Sequence, residues 1–185
     1  SSFDSGFTVV LVPNKLGFLL YGPPGTGKTT FIKALSNELN RHVINISLAT
    51  IKTNEQLDNI LNNGKRSVRY RSLETSIHTL YYRDVIYIIE DIDCINDLVS
   101  KRDENSIKKE DIYEDQLNLS YLLNLLDGVN DTPERIVIFT TNHIDHIDPA
   151  LIRPGRVDCI IKLDYICYEV ALEMVKFYYK DFLFY

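Results

Sequence analysis

The sequence has few cysteines, no long apolar run and no excess of positive charge, and each absence excludes a class of protein. Its three cysteines, Cys94, Cys159 and Cys167, form no C-x-x-C pair, which favours buried or idle thiols in a reducing compartment. No stretch approaches the roughly 20 apolar residues of a membrane span, and the first residues lack the order of a secretory leader. The net charge of −6 argues against binding polyanions through bulk charge.

What the chain has is the material for one globular α/β domain. It holds 185 residues, of which 45% are hydrophobic and 25% charged. Five short runs are almost continuously apolar and predict strands that are covered on both faces. These runs are "GFLLY" (17–21), "HVINIS" (42–47), "VIYII" (85–89), "IVIFT" (136–140) and "CIIKL" (159–163).

Helical patterns lie between the predicted strands. Apolar residues mark one face of a helix over 29–40, and leucines mark another over 117–126. Strands that alternate with helices predict a parallel sheet in a doubly wound fold.

Two segments fit this pattern less well, and we expect them to be inserted loops at 64–84 and 98–115. The first contains a basic stretch, "GKRSVRYRS", followed by a predicted helix, "LETSIHTLYY". The basic stretch favours a solvated loop, with a nucleic-acid contact as the alternative. The second mixes charges of both signs and predicts a mobile surface loop.

The strongest functional signal is "GPPGTGKT", which follows a predicted strand and opens a predicted helix. Glycines allow the backbone amides to curl around phosphate oxygens, and the helix N-terminus adds its dipole. Lys28 is expected to reach the β- and γ-phosphates, and Thr29 to offer its hydroxyl to Mg²⁺. The predicted nucleotide-binding residues are Gly22, Pro23, Pro24, Gly25, Thr26, Gly27, Lys28, Thr29 and Thr30.

The third predicted strand is followed by "EDID". These acidic residues lie at the carboxyl end of the strand, which is where α/β sheets bind ligands. Neighbouring residues on a strand point to opposite faces, so Glu90 and Asp91 cannot do the same job. By position, Glu90 takes the Mg²⁺ place, partly through water, and Asp91 activates the attacking water. Many ATP-hydrolysing proteins have the reverse order, Asp then Glu. Each side chain therefore differs in reach by about 1.5 Å, and a 1 Å misplacement can cost ~10²-fold in rate.

Further candidate catalytic residues follow the fourth predicted strand. Asn142 in "TTNH" could bind the γ-phosphate or hold the attacking water without adding charge. Arg153 and Arg156 flank Pro154-Gly155, and their guanidinium groups suit phosphate recognition. Taken in isolation, the two residues favour the alternative of solvated surface arginines.

Together these motifs resemble the AAA family of ring-forming ATPases over residues 16–163. The resemblance implies a P-loop NTPase fold with the strand order 5-1-4-3-2. It also implies that Arg153 and Arg156 reach the ATP of a neighbouring subunit, so that hydrolysis needs a homo-oligomer, a hexamer or heptamer ring. "EDID" and "TTNHIDHIDPALIRPGR" are similar to the branch that includes the mitochondrial inner-membrane chaperone which translocates the Rieske iron–sulphur protein, and its plant relatives. The order Glu90-Asp91 is thus expected to permit hydrolysis.

The same comparison predicts two parts: an AAA core over 1–165, and the start of a helical lid over 166–185 that is mostly missing. A fragment of a longer chain is expected, with any membrane attachment through a segment absent from this sequence. Most AAA translocases carry an aromatic–apolar–Gly pore loop, which "NISLATIKTNEQL" lacks.

The predicted function is a ring-forming ATPase that uses ATP and Mg²⁺ to remodel or assemble protein clients. One alternative is a nucleotide-gated scaffold with little hydrolysis, which only the order of Glu90 and Asp91 supports. Another is a nucleic-acid-directed motor, against which the acidic net charge counts. The expected location is intracellular, either cytoplasmic or mitochondrial.

Overall fold

A computed structural model of the chain describes residues 15–62, 66–69, 77–94, 117–127 and 134–179. These residues form seven strands: β1 (Lys15–Tyr21), β2 (His42–Ile46), β3 (Arg66–Arg69), β4 (Ile77–Leu80), β5 (Val85–Ile89), β6 (Arg135–Thr141) and β7 (Cys159–Lys162). Five of them make one parallel sheet in the order β2-β5-β6-β1-β7, and β3 and β4 pair separately. Four α-helices accompany them: α1 (Lys28–Glu38), α2 (Asn54–Leu61), α3 (Leu119–Asp127) and α4 (Tyr168–Tyr178).

The sheet topology agrees with the order that the family resemblance implied. When only the five strands of the large sheet are counted along the chain, their order from β7 to β2 is 5-1-4-3-2. The running labels differ because β3 and β4 lie between the second and third of these strands. The predicted α/β class and the five predicted strands are therefore confirmed.

The core lies on both faces of the sheet, as a doubly wound fold requires. Alternate residues of β5 enter different clusters: Val85, Tyr87 and Ile89 pack with α2 and α3, while Ile86 and Ile88 pack with α1. Every residue of β5 and β6 is buried, which explains why these strands are uninterrupted apolar runs. Burying each large aliphatic side chain in this way contributes about 1.5–3 kcal/mol.

The prediction of a helix within "LETSIHTLYY" was wrong. Residues Ile77–Leu80 form strand β4, which runs antiparallel to β3 with Arg66 opposite Leu80. A short 3-10 turn, Tyr82–Asp84, follows before β5. Pairing with a strand about ten residues earlier in the chain overrides the local helical pattern, as tertiary context often does. The predicted loop at 98–115 lies outside the described residues.

The last described element is α4, which begins within the region that the sequence assigns to a lid. None of its residues is buried, and large apolar side chains such as Tyr168, Phe177 and Tyr178 are exposed. The division into a core and a lid remains a prediction. Among the described residues, no helix has the length and apolar character needed to cross a bilayer.

Candidate functional site

The candidate site lies at the edge of the sheet where the parallel strands end. The glycine-rich loop follows β1, the acidic residues follow β5, and Asn142 follows β6. These strands are neighbours, because β6 pairs with both β1 and β5. Their carboxyl ends therefore meet at one edge, which is where α/β sheets bind ligands.

At several positions of the loop from Gly22 to Gly27, the backbone has a positive φ angle that only glycine adopts easily. Gly22 has a φ of +141°, and a Cβ there would lie 1.9 Å from the carbonyl oxygen of Leu163. Gly27, the N-cap of α1, has a φ of 99°. The side-chain hydroxyl of Thr26 donates to the Pro23 carbonyl at 2.8 Å and closes the loop on itself. The sequence therefore fixes the loop against β7 and turns it directly into α1.

Lys28 joins the loop to the end of β6. Its ammonium group donates to the carbonyls of Gly22 at 2.7 Å and Pro23 at 3.0 Å. A third hydrogen bond, of 2.8 Å, goes to Oδ1 of Asn142. All three acceptors are neutral, and charged phosphate oxygens are stronger acceptors for an ammonium group. The cation and the amide that the sequence predicted as site residues thus lie in contact, although 114 residues separate them.

Four of the predicted ligand residues around Lys28 are exposed. Pro24, Gly25, Thr29 and Thr30 are exposed, and a Cβ added at Gly25 or Gly27 would meet open space. The hydroxyl of Thr29 and the carboxylates after β5 are oxygen donors, the type that Mg²⁺ prefers. With the loop amides and Lys28, this donor set fits a magnesium-bound triphosphate.

Glu90 and Asp91 are both exposed at the end of β5, but they face different neighbours. The side-chain amide of Asn45, on β2, donates to Oε2 of Glu90 at 2.9 Å. The backbone amide of Asp91 donates to the Thr140 hydroxyl, on β6, at 3.4 Å. Asp91 has a φ of 50°, in the left-handed region. The Glu90 carboxylate is thus held towards β2, while Asp91 lies on the side of β6 and Asn142.

Sequence reasoning missed three residues that organise this edge. Asn45 orients Glu90, and its signal was a polar residue inside the apolar run "HVINIS". Thr141 donates to Oδ1 of Asp93 at 2.8 Å and accepts the backbone amide of His143 at 2.9 Å. This pair links the end of β6 to the turn after β5, so that the strands carrying Asn142 and the acids are tied together.

The two predicted arginines have different surroundings. Nε of Arg156 donates to Oδ1 of Asp127 at 2.7 Å, Nη2 donates to Oδ2 of the same carboxylate, and Nη1 donates to the Ala150 carbonyl. The hydrogen bond from Arg156 lowers the pKa of Asp127, and the same contact raises the pKa of Arg156. Arg153 is exposed, and its side chain makes no hydrogen bond or ion pair within the described part of the chain.

Neither arginine lies near the glycine-rich loop of its own chain. The turn from Arg153 to Arg156 packs on Gly17, near the start of β1: the Asp158 backbone amide donates to the Gly17 carbonyl at 2.8 Å. The loop begins five residues later, at Gly22. At about 3.3 Å per strand residue, the turn and the loop are separated by about 16 Å. The structure therefore does not bring the arginines together with the rest of the predicted site.

Comparison with known proteins agrees with this geometry. Residues 18–165 match the family described as "ATPase family associated with various cellular activities (AAA)". AAA-ATPase At5g40000 of Arabidopsis thaliana is 42% identical over 172 residues, which cover 89% of this chain and 33% of that protein. AAA-ATPase At2g18190 of the same plant is 41% identical over 154 residues, 82% of this chain and 28% of that protein.

A third Arabidopsis thaliana relative, "AAA-ATPase At3g28570, mitochondrial", is 38% identical over 168 residues, covering 89% of this chain and 34% of that protein. The chain spans about a third of the length of these curated relatives. The narrower resemblance to the chaperone of the Rieske protein stays a prediction. Since the family match covers most of the sequence, from residue 18 to residue 165, the chain belongs to the AAA family of ATPases.

Proposed function

We propose that this chain binds ATP with Mg²⁺ in the loop from Gly22 to Thr30 and hydrolyses it in an oligomeric ring. The observation that supports this most is the contact between Lys28 and Asn142. It brings the cation of the phosphate loop to the polar end of β6, beside the carboxylates of β5. A triphosphate between these groups meets backbone amides, an ammonium group, a neutral amide and acidic side chains.

Each residue has a part in the proposed reaction. Thr29 and Glu90 hold Mg²⁺, with Glu90 acting in part through water. When bound, the ion neutralises negative charge on phosphate oxygens. Asp91 accepts the proton of the attacking water, and Asn142 orients that water or the terminal phosphate. The Asn45 hydrogen bond fixes where the Glu90 carboxylate starts from.

The position of the arginine turn supports hydrolysis between subunits. At about 16 Å from the loop of its own chain, an arginine side chain lies out of reach of the nucleotide bound there. In a head-to-tail ring, one end of each protomer meets a different surface of the next, so that the turn can face a neighbouring loop. A hexamer or heptamer with arginines acting in trans satisfies this requirement, and an arginine finger contributes ~10³–10⁵ in rate in other NTPases.

The ring is proposed to act on protein clients as a remodelling or assembly enzyme inside the cell, in the cytoplasm or a mitochondrion. The name of one relative includes the word mitochondrial. The acidic net charge of −6 favours protein over nucleic-acid clients. Density for a bound chain in the pore of an imaged ring would identify the client.

An ATPase assay on the assembled protein tests this function. We expect steady turnover by the unchanged protein. Lys28→Ala should weaken the free energy of ATP binding by about 2–5 kcal/mol, because a charge that pairs with phosphate is lost. Turnover should therefore be abolished in this variant. We expect Asp91→Asn to bind ATP normally while its turnover falls by ~10²–10⁴. Lys33→Ala removes an exposed lysine of the same helix and should behave as the unchanged protein does.

The nucleotide-gated scaffold makes the opposite prediction for the unchanged protein. Normal ATP binding with background turnover, in preparations that form oligomers, would favour the scaffold and contradict the proposed hydrolysis. Turnover that Asp91→Asn leaves intact would instead show that the water is activated by another group.

A further inference from the structure

The end of α3 is a junction where three cations from different parts of the fold converge. The Arg135 guanidinium, on β6, donates to the Leu125 carbonyl at 3.2 Å. The Lys15 ammonium, on β1, donates to the Leu126 carbonyl. Arg156 binds the carboxylate of Asp127, the last residue of the helix. A helix C-terminus carries unsatisfied carbonyls and partial negative charge, so that these cations hold it to the sheet.

Arg156 uses three of its five N–H donors at this junction. Nε and Nη2 donate to the two carboxylate oxygens of Asp127, and Nη1 donates to the Ala150 carbonyl. Its side chain is only 10% exposed, against 49% for Asp127. A bidentate contact of this kind is specific to the planar fork of arginine. If Nε or the bonded N–H of Nη1 or Nη2 were to bind a neighbouring nucleotide, these contacts would have to break.

The backbone of the turn from Arg153 to Arg156 is fixed as well. The carboxylate of Asp158 accepts the Gly155 amide at 2.9 Å and the Gly17 amide at 2.9 Å. A Cβ at Gly17 would lie 1.8 Å from the Arg156 carbonyl, so that only glycine allows the turn to pack on β1. The backbone amides of Arg156 and Val157 both donate to the Arg153 carbonyl, at 3.0 and 3.1 Å.

Arg153 sits at the start of this fixed turn with its side chain in solvent. Its backbone is anchored through its carbonyl, while its guanidinium is not used by a hydrogen bond or ion pair within the described residues. The charge of Arg153 also acts on Asp127 and helps to lower the pKa of that carboxyl, after the larger effect of the Arg156 hydrogen bond. A rigid backbone with an exposed planar cation that makes no hydrogen bond is the arrangement that a neighbouring phosphate requires.

We propose that the two arginines divide the work: Arg153 alone acts on the neighbouring subunit's nucleotide, and Arg156 is a positioning residue that holds the turn through Asp127. This inference rests on the proposed function, and it differs from the expectation that both arginines reach the neighbouring ATP. Asp127 becomes part of the hydrolytic apparatus without touching substrate. The end of α3 is thereby coupled to catalysis at the next subunit's site.

Conservative substitutions give the first test, in the assembled protein with ATP and Mg²⁺. Lysine keeps a positive charge but not the bidentate fork. We expect Arg156→Lys, which can still pair with Asp127, to keep turnover within about tenfold of the unchanged protein. We expect Arg153→Lys to lose ~10³-fold or more in kcat with an unchanged Kd for ATP. A larger loss at Arg156 than at Arg153 overturns the division of labour.

A double-mutant cycle gives the second test. Asp127→Asn and Arg156→Gln should each lower kcat by about 10- to 100-fold, because each releases the same turn. The double variant should be no slower than the worse single one, since both act through one contact. If the two losses multiply, Arg156 acts on the nucleotide directly and the proposal fails. Thermal unfolding of each variant identifies any loss that comes from unfolding, in which case Arg156→Lys replaces Arg156→Gln in the cycle.

These tests separate the inference from the function on which it rests. If the unchanged protein shows no turnover, or if Arg153→Lys is fully active, hydrolysis with a trans arginine is wrong. If turnover and the Arg153 effect stand but the Asp127 and Arg156 losses multiply, only the division of labour is wrong.

Discussion

Glu90 and Asp91, neighbours at the end of β5, contact different strands: Glu90 through its carboxylate and Asp91 through its backbone amide. The Glu90 side chain is longer than that of the aspartate usual at its position. The side-chain amide of Asn45 donates to the Glu90 carboxylate and holds it towards β2. Asp91 is shorter, and its left-handed backbone, with a φ of 50°, lies against Thr140 on β6. The change in side-chain length is thus accompanied by one contact that orients the Glu90 carboxylate and one that holds the Asp91 backbone.

At this scale, we predict that removing the Asn45 amide slows hydrolysis without weakening ATP binding. Asn45→Ala frees the Glu90 carboxylate, and a misplacement of about 1 Å can cost up to ~10²-fold, so a loss of about 10-fold in kcat is expected. Asn45→Asp should lose more, because a second carboxylate then faces Glu90. Asn37→Ala, at an exposed asparagine of α1, is the matched control. Equal turnover in all variants would show that the Asn45 contact has no role.

At the element scale, the end of α3 depends on a buried arginine. Arg135 is 2% exposed, and burial lowers its pKa. It donates to the Asn62 side chain at 3.1 Å and to the Leu125 carbonyl at 3.2 Å, but no carboxylate pairs with it among the described residues. Such a group stabilises the fold through its hydrogen bonds and its volume rather than through an ion pair.

Substitutions at Arg135 should separate these two contributions to the free energy of unfolding. Arg135→Ala leaves buried acceptors unsatisfied and opens a cavity, so we expect a loss of about 2–4 kcal/mol. Arg135→Met fills most of the volume and removes the hydrogen bonds together with the buried charge, whose Nε has no hydrogen-bond partner, so its loss should be about 1–2 kcal/mol. Urea unfolding measures both. A methionine variant as unstable as the alanine variant would mean that volume contributes little.

The five sheet strands could be predicted because each is a run of apolar residues that are close in sequence. Their order could be predicted because the motifs resemble those of a family whose strand order is known. The features that were missed depend on long-range contacts. Asn45 lies opposite Ile88 across the β2–β5 pairing, and only that register brings it to Glu90. The partner of Arg156 is 29 residues away. The prediction of a helix at β4 is wrong because the pairing of β4 with β3 cannot be read from a short window of sequence.

At the scale of the whole molecule, the phosphate loop and the arginine turn lie at opposite ends of β1. In the proposed mechanism, one chain therefore carries two halves of a site, about 16 Å apart, that cannot meet within it. In the proposed head-to-tail ring, each loop would meet the turn of the next protomer, and in an isolated protomer it would not. This separation is the physical basis for the claim that hydrolysis requires an assembly.

The measurement that tests this claim most directly is ATP turnover after mixing two inactive variants. Lys28→Ala subunits bind ATP too weakly to turn it over but keep Arg153, and Arg153→Ala subunits bind ATP but lack the arginine. In a mixed ring of equal parts, about a quarter of sites pair an intact loop with an intact neighbouring arginine. We therefore predict that mixing restores turnover to about a quarter of that of the unchanged protein. If the mixture, shown to exchange subunits, stays as inactive as its two components, hydrolysis by arginines acting in trans is contradicted.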